Sequence, residues 1–424
     1  MNMDLKSAKH VRELFMNAIE NLRRPFKKKA KNVLSSSITM QDDINITQLV
    51  RLDKILQQFP EAELENYRDL LENIGIDISS KSRIGSYYQV DNLILETISK
   101  QTGIEIMPLE EALDYYGKEI LEYYWKALDV AKDKFTALAE LYGKGGYVIR
   151  VKKGMKVQQP IQTCLLVFSD NILQAPHNII ILEKGSELHV ITGCAVMREV
   201  IALHAGISEF YIEENAKLTF TMIHSWNEKM HVRPRTGVIV KEGGQYISHY
   251  INIMPVRSLQ TYPTIRLTGE NARAYASSIL IVKKKSKIDL GNEIIFEAPK
   301  TSGEIISRTI AKDEAKSIVR GRLVGKAPNI KGHLECMGLL LSNTASIKAI
   351  PELEAQHTDV DLTHEASIGK LAEEKIIYLM ARGFTENEAT SLLVRGFMSV
   401  ELKDLPESLQ KIIEATIERM AKTL

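Results

Sequence analysis

The chain has 424 residues, 44% of them hydrophobic, which is enough to bury one large core or several smaller ones and excludes extensive disorder. Its 55 basic and 54 acidic side chains leave a formal net charge of +1, so no overall field gathers nucleic acid or an anionic membrane. Three cysteines are too few for a disulfide framework, and the N-terminus lacks the apolar stretch of a signal peptide. We therefore expect a globular cytoplasmic protein with reduced thiols that binds neither nucleic acid nor membrane.

Residues 1–145 are predicted to form an N-terminal helical domain. Apolar residues recur at helical spacing in four segments, which are VRELFMNAIENL, ITQLVRLDKILQQF, LEEALDYYGKEILEYYWKAL and FTALAELY. A basic run from Arg23 to Lys31 interrupts this pattern. Because the run is short and carries one aromatic residue, we interpret it as a solvated helix end or a linker, and not as a nucleic-acid patch.

Residues 146–350 are predicted to form a β-helix core. The sequence here consists of short runs rich in Val, Ile, Thr and Tyr, separated by polar turns. Turn centres at Gly185, Asn215, Gly243 and Asn271 are spaced by 30, 28 and 28 residues, and similar turns follow near Lys285, Glu314 and Thr344. Such a repeat predicts a solenoid whose stacked coils share one core. A β-sandwich with hairpins of similar length is the alternative that periodicity alone leaves open.

Residues 351–424 are predicted to form a C-terminal helical domain. The segment LAEEKIIYLMARG is expected to end as a helix at Gly383, and Thr385 and Glu388 match a capping box for the next helix. Pro406 is expected to open a third helix. The predicted fold class is therefore mainly β, with a parallel β-helix core flanked by N-terminal and C-terminal α-helical domains.

Three residues stand out as candidates for chemistry. Cys336, in KGHLECMGLLLS, offers the soft thiolate that iron and sulfur chemistry requires, although a lone cysteine among apolar residues is more often a small buried hydrophobe. His364 and Glu365, in DLTHEASIG, offer an imidazole and a carboxylate, although each is more often structural when read alone. The chain lacks the second histidine of HExxH, a complete P-loop and a GxSxG elbow, so zinc-protease, P-loop nucleotide-binding and serine-hydrolase functions have no support.

Several motifs in order, from Gly85 to Met398, resemble the SufB and SufD scaffold family. GSYYQVDN, KFTALAELYGKGGYVIRVKKGMKV and LEKGSELHVITGC resemble the entry to the family's β-helix, and AGISEFYIEENAKLTFTMIHSWN resembles its middle coils. The most specific portion runs from EAPKTSGEIISRT through LECMGLLLS to DLTHEASIGKLAEEKIIYLMARGFTENEATSLLVRGFM. The resemblance covers most of the chain after about residue 80.

The resemblance implies a scaffold that is not an enzyme by itself. Such a scaffold receives sulfur from a cysteine desulfurase system, assembles a transient iron-sulfur cluster and hands it to apo-proteins. A SufC-type ATPase is expected to bind the C-terminal helices. A second SufB/SufD-type chain is expected to pair through the end of the β-helix, and we expect a homodimer.

SufB proteins carry a cysteine at the position of Cys336 and a His-Glu pair at His364 and Glu365. The resemblance therefore makes these three the predicted cluster- and sulfur-binding residues and the candidate iron ligands. SufD proteins typically lack that cysteine and have Gly after the histidine, so the site is more SufB-like. Cys194 also matches a cysteine common in SufB, but we interpret it as a core residue.

Two alternatives remain at this point. One is a SufD-like structural partner that binds SufC and another scaffold chain without holding a cluster itself. The other is a polysaccharide-acting β-helix enzyme, which would need clustered carboxylates that repeat at the coil period, and the sequence shows no such clusters.

Overall fold

The computed structural model describes residues 5–36, 44–78, 83–252, 254–398 and 410–411. Strands account for 45% and helices for 21%, which confirms the predicted mainly β class. The strands form a β-solenoid of about 8 turns with helices at both termini. No helix within the described ranges is long and apolar enough to cross a membrane.

One face of the solenoid is a ten-stranded sheet that is parallel except for its first pair. In order across this sheet, the strands are β2 (Leu93–Ser99), β1 (Gly85–Val90), β5 (Ile161–Val167), β8 (Glu187–Val196), β11 (Lys217–Ser225), β14 (Gln245–Asn252), β17 (Arg273–Val282), β19 (Ser302–Ala311), β21 (Ile330–Leu340) and β23 (Val360–Lys370).

The opposite face is a sheet of 13 strands in two branches that join at one long strand. The first branch is β3 (Ile104–Pro108), β4 (Tyr147–Val151), β7 (His177–Leu182), β10 (Ile207–Ile212), β13 (Arg235–Val240) and β16 (Thr264–Leu267). The second branch is β6 (Ile172–Gln174), β9 (Ala202–His204), β12 (His231–Val232) and β15 (Ser258–Thr261). Both branches pair with β18 (Lys287–Phe296), which continues to β20 (Lys316–Gly325) and β22 (Ser346–Ala355).

The turns between coils explain why the period is so regular. Gly185 and Asn215 have φ angles of 70° and 56°, and Gly243 and Asn271 have 62° and 61°. Gly and Asn are the residues that reach this left-handed region most readily. The N–H of Gly185 donates to the carbonyl of Glu214 at 2.8 Å, so each turn is hydrogen-bonded to the next coil. Because successive strands are parallel and in register, the β-helix is confirmed and the sandwich alternative is wrong.

Side chains from the two sheets alternate between the interior and the outer faces, as the pleat of a strand requires. The interior forms one continuous apolar core that runs from Tyr87 in β1 to Cys336 in β21. A second cluster covers the outer face of the ten-stranded sheet and includes Val394 and Met398. A third cluster lies between the N-terminal helices and the outer face of the 13-stranded sheet. Both outer faces are therefore covered in part by helices.

The helices at the N-terminal end are α1 (Leu5–Ser36), α2 (Ile46–Leu49), α3 (Arg68–Asn73), α4 (Leu109–Tyr116) and α5 (Lys134–Tyr142). The predicted helices VRELFMNAIENL and FTALAELY are confirmed as parts of α1 and α5. The interpretation of Arg23 to Lys31 as a helix end or linker is wrong, because these residues lie inside α1. Arg23 Nε donates to a Glu140 carboxylate oxygen of α5 at 3.0 Å, so the start of the run is a buried contact between helices.

The other two predicted helices are helical only in part. In ITQLVRLDKILQQF only α2 is a helix, because Arg51 instead forms a parallel β-bridge with Ile172. In LEEALDYYGKEILEYYWKAL the α-helix ends at Tyr116, and a short 3-10 turn covers Glu119–Glu122. The range 1–145 also contains β1, β2 and β3, so it is not helical throughout. The division of the chain into three domains stays a prediction.

A buried carboxylate explains why the segment after Glu122 leaves the helix. The Glu209 side chain accepts hydrogen bonds from the backbone N–H groups of four consecutive residues, from Trp125 to Leu128, at 2.7 to 3.2 Å. His177 Nε2 lies 2.9 Å from the same carboxylate. The backbone N–H groups that would donate within a helix therefore donate to Glu209 of strand β10. These hydrogen bonds attach the segment to the 13-stranded sheet.

The C-terminal part contains more strand than predicted. β22 and β23 extend the solenoid to Lys370, so the prediction that helix returns after Pro351 is wrong. Among the described strands β22 pairs only with β20, and an edge strand tolerates a residue such as Pro351 that lacks an N–H donor.

The helices that follow, α6 (Glu373–Met380) and α7 (Glu386–Met398), confirm the two predicted helices in this range. The capping box before α7 is confirmed, with Thr385 N–H donating to Glu388 at 2.8 Å and Glu388 N–H donating to the Thr385 hydroxyl at 3.3 Å. The helix predicted from Pro406 begins outside the described residues.

We predict that Glu209→Ala lowers the free energy of unfolding by about 3 kcal/mol, because it leaves buried N–H groups and His177 without their acceptor. Urea denaturation measures the change. Glu199→Ala is the control, because that side chain is 71% exposed and its removal should change stability by less than about 0.5 kcal/mol. Equal stability of the two variants would contradict the role assigned to Glu209.

Candidate functional site

Strand β21 places neighbouring residues of the motif HLEC on opposite faces of the sheet. Leu334 and Cys336 face the core, with exposed fractions of 0% and 2%. His333 and Glu335 face outward and are partly exposed. The thiol and the carboxylate next to it in sequence therefore lie on different sides of one strand.

Burial dominates the chemistry of the Cys336 thiol. It raises the pKa of Cys336 to about 11, the negative charge of Glu335 adds to the rise, and the positive charge of Arg308 opposes it. At neutral pH the isolated chain therefore holds Cys336 as a thiol, which is a weak metal ligand and a weak nucleophile.

Cys336 stands near the end of a column of interior residues. Strand register places Tyr250, Ser278, Ser307 and Cys336 directly above one another in successive coils. The hydroxyl oxygens of Ser278 and Ser307 are 2.8 Å apart. The coils beneath the thiol thus carry hydrogen-bonding groups in the interior of the solenoid.

Three side chains of types that can ligate a metal ion meet on the outer face of the last two coils. His333 and Glu335 of β21 and Glu365 of β23 each offer a ligand atom, and these atoms all lie within 4.8 Å of one another. We call this group the outer triad. Glu335 and Glu365 are direct register partners, and Glu335 also forms an ion pair with Arg308.

His364 lies on the opposite face of β23 from Glu365. Its register partner is Leu334, which points into the core. Because β23 is the last strand of its sheet, this position is exposed although it faces the core side. His364 therefore lies on the same side of the sheet as Cys336, two register positions away, because Cys336 pairs with Ala366.

The structure thus divides the three residues that the sequence predicted. Cys336 and His364 belong to the inner side, and Glu365 belongs to the outer triad. Neither His333 nor Glu335 was among the residues predicted from the sequence. Two features of the sequence could have identified them. Residues of HLEC alternate between the two faces of a strand, and Glu335 and Glu365 are separated by one coil period of 30 residues.

The other two cysteines are structural in this geometry. Cys194 is fully buried and belongs to the interior core, which confirms its interpretation as a core residue. Cys164 is 1% exposed and packs in the cluster on the outer face of the ten-stranded sheet. Burial raises the pKa of both thiols well above the ordinary value for cysteine.

We predict that Cys336 is the first cysteine of the folded chain to react with iodoacetamide, but only slowly at neutral pH. Its alkylation rate should rise as the pH approaches about 11, because the thiolate is the reactive form. Mass spectrometry of labelled peptides measures the three sites separately. The denatured chain, in which all three sites should react alike, is the control. Alkylation of native Cys336 at pH 7 as fast as in the denatured chain would contradict the prediction.

Two family models match the chain and together span nearly all of the solenoid. The model described as "SUF system FeS cluster assembly, SufBD core domain" matches residues 166–397, and the model described as "SufBD protein N-terminal region" matches residues 83–163. The core model alone covers more than half of the chain.

Curated relatives agree with the family models. A protein of Methanothermobacter thermautotrophicus is 42% identical over 391 residues, which cover 90% of this chain and 95% of the relative. A protein of Archaeoglobus fulgidus is 44% identical over 363 residues, covering 86% and 97%. One from Pyrococcus horikoshii is 34% identical over 361 residues, covering 82% and 80%. All three are named as iron-sulfur cluster assembly SufBD family proteins, and the chain belongs to this family.

Proposed function

We propose that the chain is the scaffold subunit on which an iron-sulfur cluster is assembled and from which the cluster is transferred. The observation that supports this most is the location of Cys336 in the last coils of the solenoid, on the opposite face of β21 from Glu335 and on the same side of the sheet as His364. A thiol, an imidazole and carboxylates are thereby gathered at one end of the molecule. In this proposal Cys336 accepts sulfur or ligates the cluster, and His364 and Glu365 complete or tune the site.

One chain cannot hold a multi-iron cluster with these groups alone, because such clusters usually take four protein ligands. We propose that a second SufB/SufD-type chain, a further copy in a homodimer, supplies the remainder. The end of the solenoid supports this. Within the part of the chain that the structure describes, β22 and β23 each pair on one side only, and β23 is exposed along most of its length. Unpaired strand edges of this kind readily accept strands of another chain.

Docking of a SufC-type ATPase is assigned to the C-terminal helices. Apolar side chains are unusually exposed there, with Ile377 at 64%, Tyr378 at 56% and Phe384 at 41%. An exposed apolar cluster on a soluble surface commonly marks a protein interface. The ATPase would use this contact to change the relative position of the two scaffold chains during cluster transfer.

The sulfur donor in this proposal is a cysteine desulfurase system, and the compartment is the cytoplasm. All three cysteines are unpaired in the structure, which suits a reducing compartment. The cluster itself is cargo, present only between assembly and transfer.

The alternative is a SufD-like structural partner that binds the ATPase and another scaffold chain while the chemistry resides elsewhere. The observation that favours it is the burial of Cys336, since its thiol is protonated at neutral pH in the isolated chain. The presence of both Cys336 and Glu365 favours the SufB-like role. A metal ion that binds Cys336 stabilises its thiolate and so reconciles the buried position with that role.

We predict that anaerobic reconstitution with iron and sulfide gives the native chain a visible absorption spectrum and bound iron and sulfide in equal amounts. Cys336→Ala should lose the spectrum and the bound sulfide, because it removes the thiolate ligand. Iron and sulfide analysis together with the spectrum measures this. Cys164→Ala is the matched control, since it removes an equally buried thiol on the outer face. Equal loading of Cys336→Ala and the native chain, or no loading of either, would favour the structural-partner alternative.

We predict that Ile377→Lys weakens binding of a SufC-type ATPase by about tenfold or more, because it places a charge in the centre of the apolar surface. Isothermal titration measures the affinity. Glu374→Gln on the same helix is the control and should bind as the native chain does. A folded Ile377→Lys variant that binds with unchanged affinity would remove α6 from the docking surface.

A further inference from the structure

The outer triad is separated from Cys336 by the strand that carries both. The ligand atoms of His333, Glu335 and Glu365 lie within 4.8 Å of one another on the outer face, whereas the thiol points into the core. No backbone movement is needed to bring the triad together. The triad can therefore hold an ion while Cys336 stays buried.

We propose that the outer triad is a binding site for a single divalent iron ion, occupied before any sulfide is present. The inference rests on the proposed function and deepens it, because it names where iron is taken up and in what form. Iron is bound by nitrogen and oxygen atoms on one face of β21, and sulfur chemistry belongs to the thiol on the other face.

The hydrogen bonds around His333 prepare its ring for a metal. His333 Nδ1 lies 2.9 Å from the Thr363 hydroxyl, and that hydroxyl donates to the Gly332 carbonyl at 3.4 Å. A hydroxyl whose proton is used in this way accepts from Nδ1–H, which leaves Nε2 with its lone pair. Metal-binding histidines are commonly oriented by a hydrogen bond of this kind on the other nitrogen.

The donor set suits ferrous iron. Imidazole is a usual ligand of iron and zinc, and carboxylates are hard ligands for divalent ions, so one imidazole with two carboxylates accommodates Fe²⁺. Two carboxylates also balance the charge of the ion. Three protein ligands leave coordination positions open, which permits the ion to leave again for a growing cluster.

Arg308 is the group that opposes metal binding. Its guanidinium forms an ion pair with Glu335, and both side chains are less than a fifth exposed, at 17% and 18%. A bound cation must share or displace this contact, and the positive charge of Arg308 repels it. When no cation is bound, the ion pair offsets the repulsion between the neighbouring carboxylates of Glu335 and Glu365. A stronger ion pair lowers the affinity of the outer triad for a cation.

The test is anaerobic titration of the full-length chain with Fe²⁺ in the absence of sulfide, followed by calorimetry. One ion per chain should bind to the native protein. His333→Ala and Glu365→Gln should each weaken binding by about tenfold to a hundredfold. His357→Ala and Glu373→Gln, two changes of the same type at exposed positions nearby, are the controls.

Two further variants test whether Fe²⁺ binding is independent of the Cys336 thiol and whether the changes in affinity reflect a general loss of structure. Arg308→Gln should strengthen Fe²⁺ binding by about tenfold, because it removes the competing charge but keeps an amide donor. Cys336→Ala should still bind the ion, although it should not form a cluster. Titration with Co²⁺ should likewise give a spectrum without thiolate-to-metal charge transfer.

Several outcomes would overturn the inference: no saturable binding, binding that His333→Ala leaves unchanged, or binding that Cys336→Ala abolishes. Failure of the triad and failure of the scaffold function are distinguishable. A native chain that forms a cluster but shows no triad-dependent Fe²⁺ site retains the scaffold function and loses the inference. A chain that binds Fe²⁺ through the triad but never forms a cluster retains the site and loses the function.

Discussion

In-register stacking of parallel strands is the constraint on which the rest of this structure depends. Each strand residue lies directly over a partner about one coil earlier in sequence, and the pleat assigns it to the core or to an outer face. The left-handed turn residues, such as Asn215 and Asn271, keep the coil length nearly constant. A shift of register by one residue would exchange the inner and outer side chains of every later coil.

The same constraint organises the end of the solenoid. It stacks Cys336 on Ser307 in the interior and sets Glu335 beside Glu365 on the outside. Metal-ligating groups and the thiol are thus close in sequence but are held apart by the strand. In the function that we propose, the chain takes up iron without exposing its thiol, and a second event, such as pairing with another chain, brings the iron and the thiol together.

Much of the fold could be predicted because its signals are local and repeated. The turn centres at Gly185 and Gly243 follow directly from polar residues that tolerate positive φ, and the capping box at Thr385 is a local pattern. Other features depend on contacts distant in sequence. The segment from Trp125 to Leu128 has helical periodicity, but the carboxylate of Glu209, about 80 residues later, captures its N–H groups. The strand that contains Pro351 was not predicted. A strand accepts this proline at the edge of a sheet, and which strand lies at the edge depends on the three-dimensional structure.

The site was predictable in part for the same reason. Cys336, His364 and Glu365 could be named from the resemblance, but which side chains meet depends on register. Adjacent residues in a strand point to opposite faces, so His364 and Glu365 do not act from one side. His333 lies close to Glu365 because β21 and β23 pair in register in successive coils. The repeat of the turns predicted the length of one coil, but only the three-dimensional structure shows which residues pair between coils.

We propose that iron-sulfur chemistry takes place at the last two coils of the solenoid. The most direct measurement is a crystal structure of the anaerobically reconstituted chain, with iron located by its anomalous scattering. We expect iron within bonding distance of residues of β21 and β23, among them Cys336. Iron bound only elsewhere on the molecule, with these two strands unliganded, would contradict it.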